Sequence, residues 1–278
     1  MNLIRLAAKR IFPDFQSRLR IRGIANSPLD ALDTLMGRRD PLLPPRGLWF
    51  VGGRKDYATS NELFIGHLSG LGLQPEHAVL DIGCGIGVMA ARLVTFLTTG
   101  RYEGFDIVKV GTDWATAHIS SKHSNFRFLH ADVYNRHYNP AAAVQAEDYA
   151  FPYLNGQFDC AFAKSVFTHM TPQAVQQYLR ESARVMKPGG VAVVSAFLIN
   201  TESNELIRAK KSSLALSLDG ELWVLDPKFP ETAIGLPEPD FMDWCEAAGF
   251  RAKNVAYGSW CGRSRYLSYQ DLIVLTRI

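Results

Sequence analysis

The sequence predicts an α/β fold with a mostly parallel sheet and helices on both faces. Segments with strand character alternate with segments of helical pattern along most of the chain. A glycine turn at residues 83–87 joins the first strand to a helix. Val191 to Ile199 form a continuous apolar run, as expected of a strand that is covered on both faces.

The elements follow in order along the chain. Ahead of the sheet, helical patterns cover 29–36 and 61–71. The seven predicted strands include residues 79–80, 102–105, 125–130, 158–163, 191–199, 252–257 and 271–278. Helices are predicted at 88–94, 113–121, 171–186 and 239–248, and a turn at 187–190 precedes the fifth strand.

Composition excludes several classes of protein. Of 278 residues, 47% are hydrophobic and 21% charged, which is typical of a soluble globular protein. The net charge of +3 argues neither for nor against nucleic acid. The four cysteines include no C-x-x-C pair, which argues against a disulfide framework or zinc site and favours a reducing cytoplasm. No apolar stretch approaches the roughly 20 residues of a membrane span.

The N-terminal residues are amphipathic and basic. Apolar residues between Met1 and Phe12 are interrupted by Arg5, Lys9 and Arg10, which is too much charge for a signal peptide. Up to Arg22 the only acid is Asp14. We expect either a helix packed on the core or on a partner, or a basic helix that rests on an anionic membrane surface.

The most informative stretch is the glycine turn, which reads V-L-D-I-G-C-G-I-G from Val79 to Gly87. Strand, glycine turn and helix together form a nucleotide pocket, where glycines allow close approach of the backbone. A dinucleotide fold would show G-x-G-x-x-G, but Val88 stands where its last glycine belongs. Asp81 would repel a pyrophosphate and suits a ligand with an amino group or a sulfonium. Both features disfavour a nicotinamide-dependent oxidoreductase.

Acids also follow the next two strands. Asp106 lies about 20 residues beyond the glycine turn, where an acid can accept hydrogen bonds from both ribose hydroxyls. Asp132 follows the third strand. Acids at three consecutive strand ends predict a ligand site at the carboxyl edge of the sheet.

These residues resemble a known family. Asp81 to Gly87 resemble motif I of the class I S-adenosylmethionine-dependent methyltransferases, and the match covers about residues 75–200. The resemblance implies a Rossmann-like sheet of seven strands in the order 3-2-1-4-5-7-6 with the last strand antiparallel. It implies S-adenosylmethionine as cofactor, with Asp132 accepting the adenine amino proton and the Val133 amide meeting the ring. With the residues argued above and Tyr57 as part of a lid over the cofactor, the predicted cofactor-binding residues are Tyr57, Asp81, Gly83, Cys84, Gly85, Gly87, Asp106, Ile107, Asp132, Val133 and Lys164.

The acceptor is less closely defined. His169, beyond the fourth strand, is the candidate general base for a hydroxyl acceptor, and the alternative is a histidine at a helix start with a backbone partner. Lys164 to Phe167 replace the Asn/Asp/Ser-Pro-Pro-aromatic loop of enzymes that methylate base amino groups, which argues against such a target. No acid cluster for Mg²⁺ is evident, and no metal is predicted.

We expect an N-terminal helical extension at 1–50 and a methyltransferase domain at 51–278, with an acceptor-side insertion at 200–236. Candidate substrate residues are Trp223, Trp260 and Arg263. A Trp beside an Arg suits a sugar face, and equally a loop packed on the core. Phe50 to Gly53, the S-V-F-T-H-M stretch and the segment 260–271 resemble bacterial methyltransferases of surface polysaccharide or glycolipid synthesis.

The sequence therefore favours a cytoplasmic O-methyltransferase that acts on a sugar hydroxyl of a glycan, glycolipid or related small molecule. N- or C-methylation of another metabolite stays open, as does a non-catalytic cofactor-binding subunit. No basic-aromatic stripe favours a nucleic-acid partner. Peripheral membrane contact through the N-terminus is a further hypothesis.

Overall fold

The computed structural model describes residues 14–50 and 54–278, with side chains from residue 59 onward in the second range. The strands of the main sheet are β1 (Ala78–Ile82), β2 (Arg101–Asp106), β3 (Phe126–His130), β4 (Phe158–Ala163), β5 (Met186–Ala196), β10 (Phe250–Ala256) and β11 (Asp271–Arg277). Their order is β10-β11-β5-β4-β1-β2-β3. β1 runs parallel to β4, β4 to β5 and β2 to β3, whereas β11 is antiparallel to both β5 and β10. The predicted fold and strand order are confirmed.

A second, smaller sheet lies within residues 198–237. It consists of β6 (Leu198–Ile199), β7 (Ser217–Asp219), β8 (Leu222–Val224) and β9 (Ile234–Pro237), in the order β6-β9-β8-β7. The helices are α1 (Phe15–Leu35), α2 (Arg54–Gly70), α3 (Val88–Leu93), α4 (Lys109–Ala115), α5 (Pro172–Val185), α6 (Thr201–Arg208) and α7 (Glu238–Ala247). A π-helical turn at Thr116–Ser120 continues α4, and short 3-10 turns lie at Arg46–Leu48, Ala146–Asp148, Phe167–His169 and Pro230–Thr232.

One compact unit contains residues up to 77 together with 83–144. Within it, α1 is much longer than the predicted helix at 29–36. Asp14 caps it by accepting a hydrogen bond from the Ser17 N–H at 2.7 Å. Pro28 lies inside the helix and cannot donate to Ile24, whose carbonyl instead accepts from the Ser27 hydroxyl at 2.9 Å. The Ser27 hydroxyl thus satisfies the carbonyl that the proline leaves without its helical N–H partner.

The other compact unit contains residues 78–82 and 145–278. Thr171 caps α5, because its side chain accepts a hydrogen bond from the Ala174 N–H, and Pro172 lies at the first position of the helix. The sequence predicts that the turn at 187–190 precedes the fifth strand, and this placement is wrong, because these residues lie inside β5. Phe158 pairs with Met186 and Cys160 with Val191, so the residues between them form a bulge. The predicted division at residue 50, the methyltransferase domain at 51–278 and the insertion at 200–236 stay predictions.

Candidate active site

The glycine turn has the backbone conformation that its sequence predicts. Gly83, Gly85 and Gly87 have φ angles of 75°, 60° and 77°, in the left-handed region that side chains disfavour. The N–H groups of Gly83 and Cys84 donate to the carbonyl of Phe105 at 2.9 and 3.0 Å. These two amides therefore hold the turn to the end of β2, and the Gly85 amide donates elsewhere.

That amide donates to Asp106, a carboxylate with only 9% of its surface exposed. Oδ2 accepts from the Gly85 N–H and Oδ1 from the Val108 N–H, both at 2.7 Å. Burial raises the pKa of Asp106 to about 6. Hydrogen bonds from the backbone N–H groups of Val108, Gly85 and Ile107 act in the opposite direction and lower it. A carboxylate has about four lone-pair positions, so Asp106 keeps acceptor capacity for ligand hydroxyls. The residues present thus fit a ribose.

The loop after β2 is covered by α1, which the sequence did not predict. Leu19 of α1 is buried against Val108 and Val110, and the Gln16 side chain accepts from the Val110 N–H at 3.4 Å. Ile107, an implied cofactor residue, is partly buried beside the same cluster. No local pattern identifies α1 as part of this site, because the contact joins residues about ninety positions apart in the chain.

Aromatic side chains line the same region. Phe15 makes edge contacts with Phe50 and Tyr138, at centroid distances of 5.8 and 4.9 Å. Burial, reinforced by the charge of Asp106, raises the pKa of Tyr138. Tyr138 is therefore close enough to Asp106 to sense its charge, although it was not among the predicted site residues.

The loop after β3 holds Asp132 on the surface and Val133 in the interior. The Asn139 amide donates to Asp132 Oδ1 at 3.0 Å and to the Val133 carbonyl at 3.2 Å. The Val133 N–H donates to the Ala131 carbonyl at 2.8 Å. This N–H already has a protein partner, so contact with an adenine ring requires it to exchange that partner. Asn139, which organises the loop, was missed.

In the second unit, Asp81 lies on β1 beside Phe162 of β4 and is 2% exposed. Lys164 directly follows β4. Burial lowers the pKa of Lys164 to about 8, while the negative charge of Asp81 acts in the opposite direction. A buried acid and a half-buried cation thus interact electrostatically at the carboxyl ends of these parallel strands.

The residue after Lys164 has an unusual backbone. Ser165 has a φ of 61°, which is uncommon for a side-chain-bearing residue. Its N–H donates to the Ser195 hydroxyl at 2.7 Å, and its own hydroxyl donates to Gln270 at 2.9 Å. Ser195 also donates to Gln270 at 2.7 Å. Contacts from β5 and the residue before β11 therefore hold the loop after β4.

His169 ends the 3-10 turn after this loop and is partly buried. Its Nδ1 lies 2.8 Å from the carbonyl oxygen of Glu231. Because a carbonyl only accepts, Nδ1 carries the proton, and in the neutral ring Nε2 is the basic nitrogen. Burial lowers the pKa of His169. The carbonyls of Glu231 and Thr232 favour the protonated ring and partly offset this decrease.

Two of the candidate substrate residues have structural partners. Trp260 is 0% exposed, and its indole N–H donates to Asp271 at 2.8 Å. Arg263 is 8% exposed and forms ion pairs with Glu202 at 2.7 Å and Asp271 at 3.1 Å. Of the two interpretations that the sequence left open, these contacts match a loop packed on the core. Trp223, on β8, is partly buried against the cluster that contains Trp260.

Some of the predicted residues lie beyond the part of the chain that the structure describes. The side chain of Tyr57 and residues 51–53 lie outside the described residues, as does the N-terminal segment 1–13. Among the residues that are described, no group of three or more His, Cys, Asp or Glu side chains could hold a metal ion. In the same residues, no helix is long and apolar enough to cross a bilayer.

Comparison with known proteins agrees with this geometry. A family model described as a methyltransferase domain matches residues 79–190. The chain is similar to 27-O-demethylrifamycin SV methyltransferase of Amycolatopsis mediterranei, with 29% identity over 46% of this chain and 42% of that protein. It is also similar to a sterol 24-C-methyltransferase of Gibberella zeae, with 26% identity over 50% and 32%. The chain thus spans less than half the length of these curated relatives.

Solved structures extend the likeness over most of the chain. A protein of Pyrococcus horikoshii superposes with a TM-score of 0.57 at 18% identity, over 81% of this chain and 93% of that one. Magnesium protoporphyrin IX methyltransferase of Synechocystis, solved with S-adenosylhomocysteine, gives 0.52 at 15%, over 80% and 84%. At these identities the likeness concerns the fold. The family match thus identifies residues 79–190 as a methyltransferase domain. The order of the seven strands is the one that the resemblance to class I S-adenosylmethionine-dependent methyltransferases implies.

Proposed function

We propose that this protein transfers a methyl group from S-adenosylmethionine to a hydroxyl oxygen, with His169 as the general base. The observation that carries the proposal is the 2.8 Å contact between His169 Nδ1 and the Glu231 carbonyl. It leaves Nε2 as the proton acceptor, and the lowered pKa keeps the ring neutral near pH 7. A hydroxyl acceptor must lose a proton during the transfer, and a neutral histidine can accept it.

The cofactor supplies a methyl carbon bonded to a sulfonium. Asp106 would accept hydrogen bonds from the ribose hydroxyls, because its present contacts leave lone pairs unused. Asp81 would attract the ammonium of the methionyl group and Lys164 its carboxylate. This assignment rests on the opposite charges of the two side chains, which interact in the structure. Asp132 would lie at the adenine.

For the acceptor, we propose a sugar hydroxyl of a glycan, glycolipid or related small molecule. The supporting residues belong to the 198–237 region, which also supplies Glu231 to His169. Trp223 is partly buried there, and Phe229 is 50% exposed. Aromatic faces can pack on the apolar face of a sugar. One of the similar proteins is named as a methyltransferase of an O-demethylated rifamycin and another as a C-methyltransferase of sterols. Acceptor screening is therefore part of the test.

Cofactor binding is measured first, by calorimetric titration of S-adenosylmethionine and S-adenosylhomocysteine. Turnover is then followed with sugar, phenol and amine acceptors. We expect His169→Gln to lower kcat by about 10²–10⁴-fold while the cofactor Kd stays unchanged. His118→Gln is the matched control, because His118 Nδ1 also lies 2.9 Å from a backbone carbonyl, that of Trp114.

Each contrary outcome has a distinct meaning. Unchanged turnover in His169→Gln would remove the base role. Turnover with amine or carbon acceptors alone would replace O-methylation by the N- or C-methylation alternative. Cofactor binding without turnover across all acceptor classes would indicate a non-catalytic cofactor-binding subunit.

A further inference from the structure

The helix α1 carries its apolar side chains on the outside. Ile21, Ile24, Leu32 and Leu35 are 39%, 74%, 52% and 86% exposed. With Pro28 between them, these positions recur at intervals of three or four residues, so they share one helix face. Leu29 and Met36, which are 51% and 48% exposed, widen that face. We call these six side chains together with Pro28 the α1 face.

The polar side of α1 faces inward instead. Asp30 is 3% exposed and accepts from the Arg46 N–H at 3.2 Å. Asp33 forms an ion pair with the Arg46 guanidinium. Leu19 is the buried apolar contact of this side. Both acids within the helix are therefore turned to Arg46, away from the α1 face.

The charges around the α1 face are mostly basic, with Asp40 the exposed acid next to Arg38 and Arg39 in the chain. Arg20, Arg22 and Arg38 are exposed, and Arg18 and Arg39 are partly exposed. Arg22 also donates to the Trp49 carbonyl at 2.9 Å. On a helix, Arg18 and Arg22 lie along one border of the face and Arg20 along the other. The face thus combines an exposed apolar stripe with cationic borders, the pattern of a helix that lies in a membrane interface.

We propose that the α1 face binds the surface of an anionic lipid bilayer, with its apolar side chains among the acyl chains and its arginines at the headgroups. The charges select this occupant. A second copy would place its own arginines against the arginines of this face, which is unfavourable. The segment 1–13 carries Arg5, Lys9 and Arg10 and no acid, so it does not complement them either. Anionic lipid complements the borders, and basic residues near such a surface are attracted to it. The proposal is independent of methyl transfer.

This inference moves the membrane contact from the place that the sequence indicated. The sequence pattern drew attention to Met1 to Phe12, whereas the described structure has the exposed face between Ile21 and Met36. Because Leu19 holds α1 against the loop after β2, binding would place the first unit at the bilayer with a defined side of α1 toward it.

The test is flotation of the full chain with vesicles of phosphatidylcholine alone and of phosphatidylcholine mixed with phosphatidylglycerol. We expect binding to the anionic vesicles only, weakened by salt. Ile24→Asp with Leu35→Asp should lower the partition coefficient by about tenfold or more, and Arg20→Glu with Arg38→Glu by about tenfold. Leu154→Asp is the matched control, because Leu154 is 74% exposed, as is Ile24, but lies in the other unit.

These substitutions are on exposed side chains, so thermal midpoints should stay near that of the unmodified protein. Failure of the unmodified chain to bind anionic vesicles overturns the proposal, and so does equal binding by the Ile24/Leu35 variant.

A probe at Leu35→Cys, labelled with an environment-sensitive fluorophore, distinguishes other occupants. The four native cysteines are buried and do not compete for the label. We expect a blue shift only when anionic vesicles are added. A blue-shifted probe without vesicles would mean that the face is already covered, and would contradict the proposal. If that shift depends on protein concentration, a second copy covers the face. If it does not, the segment 1–13 covers it.

Discussion

Asp106 and Asp271 are both buried carboxylates near strand ends, and their surroundings differ. At Asp271, Oδ1 accepts from the Gly258 N–H and Arg263, and Oδ2 accepts from the Leu198 N–H and Trp260. At Asp106, within the described residues, the donors are backbone N–H groups, among them Gly85 to Oδ2 and Val108 to Oδ1, both at 2.7 Å.

The difference separates a carboxylate whose acceptor positions are used within the protein from one that can still accept hydrogen bonds from a ligand. Asp271 uses about all four of its lone-pair positions and has a cationic partner, so nothing is left for a ligand. Asp106 has spare lone pairs and no such neutralising partner among its hydrogen-bond donors. Burial raises the pKa of both acids. The pKa shift alone therefore does not distinguish the two carboxylates, whereas the number of unused acceptor positions does.

Asp271→Ala should have the largest effect. It leaves the buried Arg263 without its buried partner and removes the acceptor of several donors, so we expect a loss of about 3–5 kcal/mol of unfolding free energy. Chemical denaturation measures it. Arg263→Met combined with Asp271→Leu should recover part of the loss, because no unpaired charge remains. Loss of cofactor affinity in the folded variant, with little change in stability, would contradict the structural assignment.

In contrast to Asp271→Ala, Asp106→Asn should lower the affinity for S-adenosylmethionine more than it lowers the free energy of unfolding. One amide oxygen cannot serve both ribose hydroxyls, and hydrogen bonds to a charged acceptor are the stronger ones. We expect the Kd for S-adenosylmethionine to rise about a hundredfold, measured by calorimetry. In the unmodified protein the affinity should also fall as the pH drops below about 6, where the carboxylate takes up a proton.

The same residue predicts a pH effect on stability. The pKa of Asp106 is raised from 3.8 to about 6, so between these values the folded state binds more protons than the unfolded state. Its contribution to stability is then present at low pH and is lost as the pH rises through about 6. Denaturation curves across this window, compared with Asp106→Asn, isolate the contribution. An identical pH slope in the two proteins would rule it out.

Lys164→Met should have the smallest effect of the three substitutions. Lys164 is only half-buried, and it interacts electrostatically with Asp81. We expect a rise in the cofactor Kd of about tenfold, from loss of one partly exposed charge contact. In the unmodified protein this contribution should disappear as the pH rises above about 8, where Lys164 loses its proton. A variant with the same alkaline decline in affinity as the unmodified protein would exclude Lys164 as its source.

Much of the fold is predictable from local sequence. The strand 158–163 is predicted to the residue, because a mostly apolar segment with polar residues on both sides marks it. The glycine turn is predicted because its left-handed backbone requires glycine, and Asp106 because it follows a strand at a known distance from that turn. The strand order came from the family resemblance, since it depends on pairings between distant segments.

Other features depended on contacts between residues far apart in the chain. Trp260 and Arg263 have the composition of a sugar site, but Glu202, 61 positions from Arg263, and Asp271 make them part of the core. The amphipathic pattern of α1 is visible in its sequence, yet its apolar side is the outer one because Arg46 draws Asp30 and Asp33 inward. Local sequence therefore determined which residues are polar, apolar or turn-forming. The tertiary structure decided which of the polar groups are paired within the protein and which stay available, because that depends on partners brought from elsewhere in the chain.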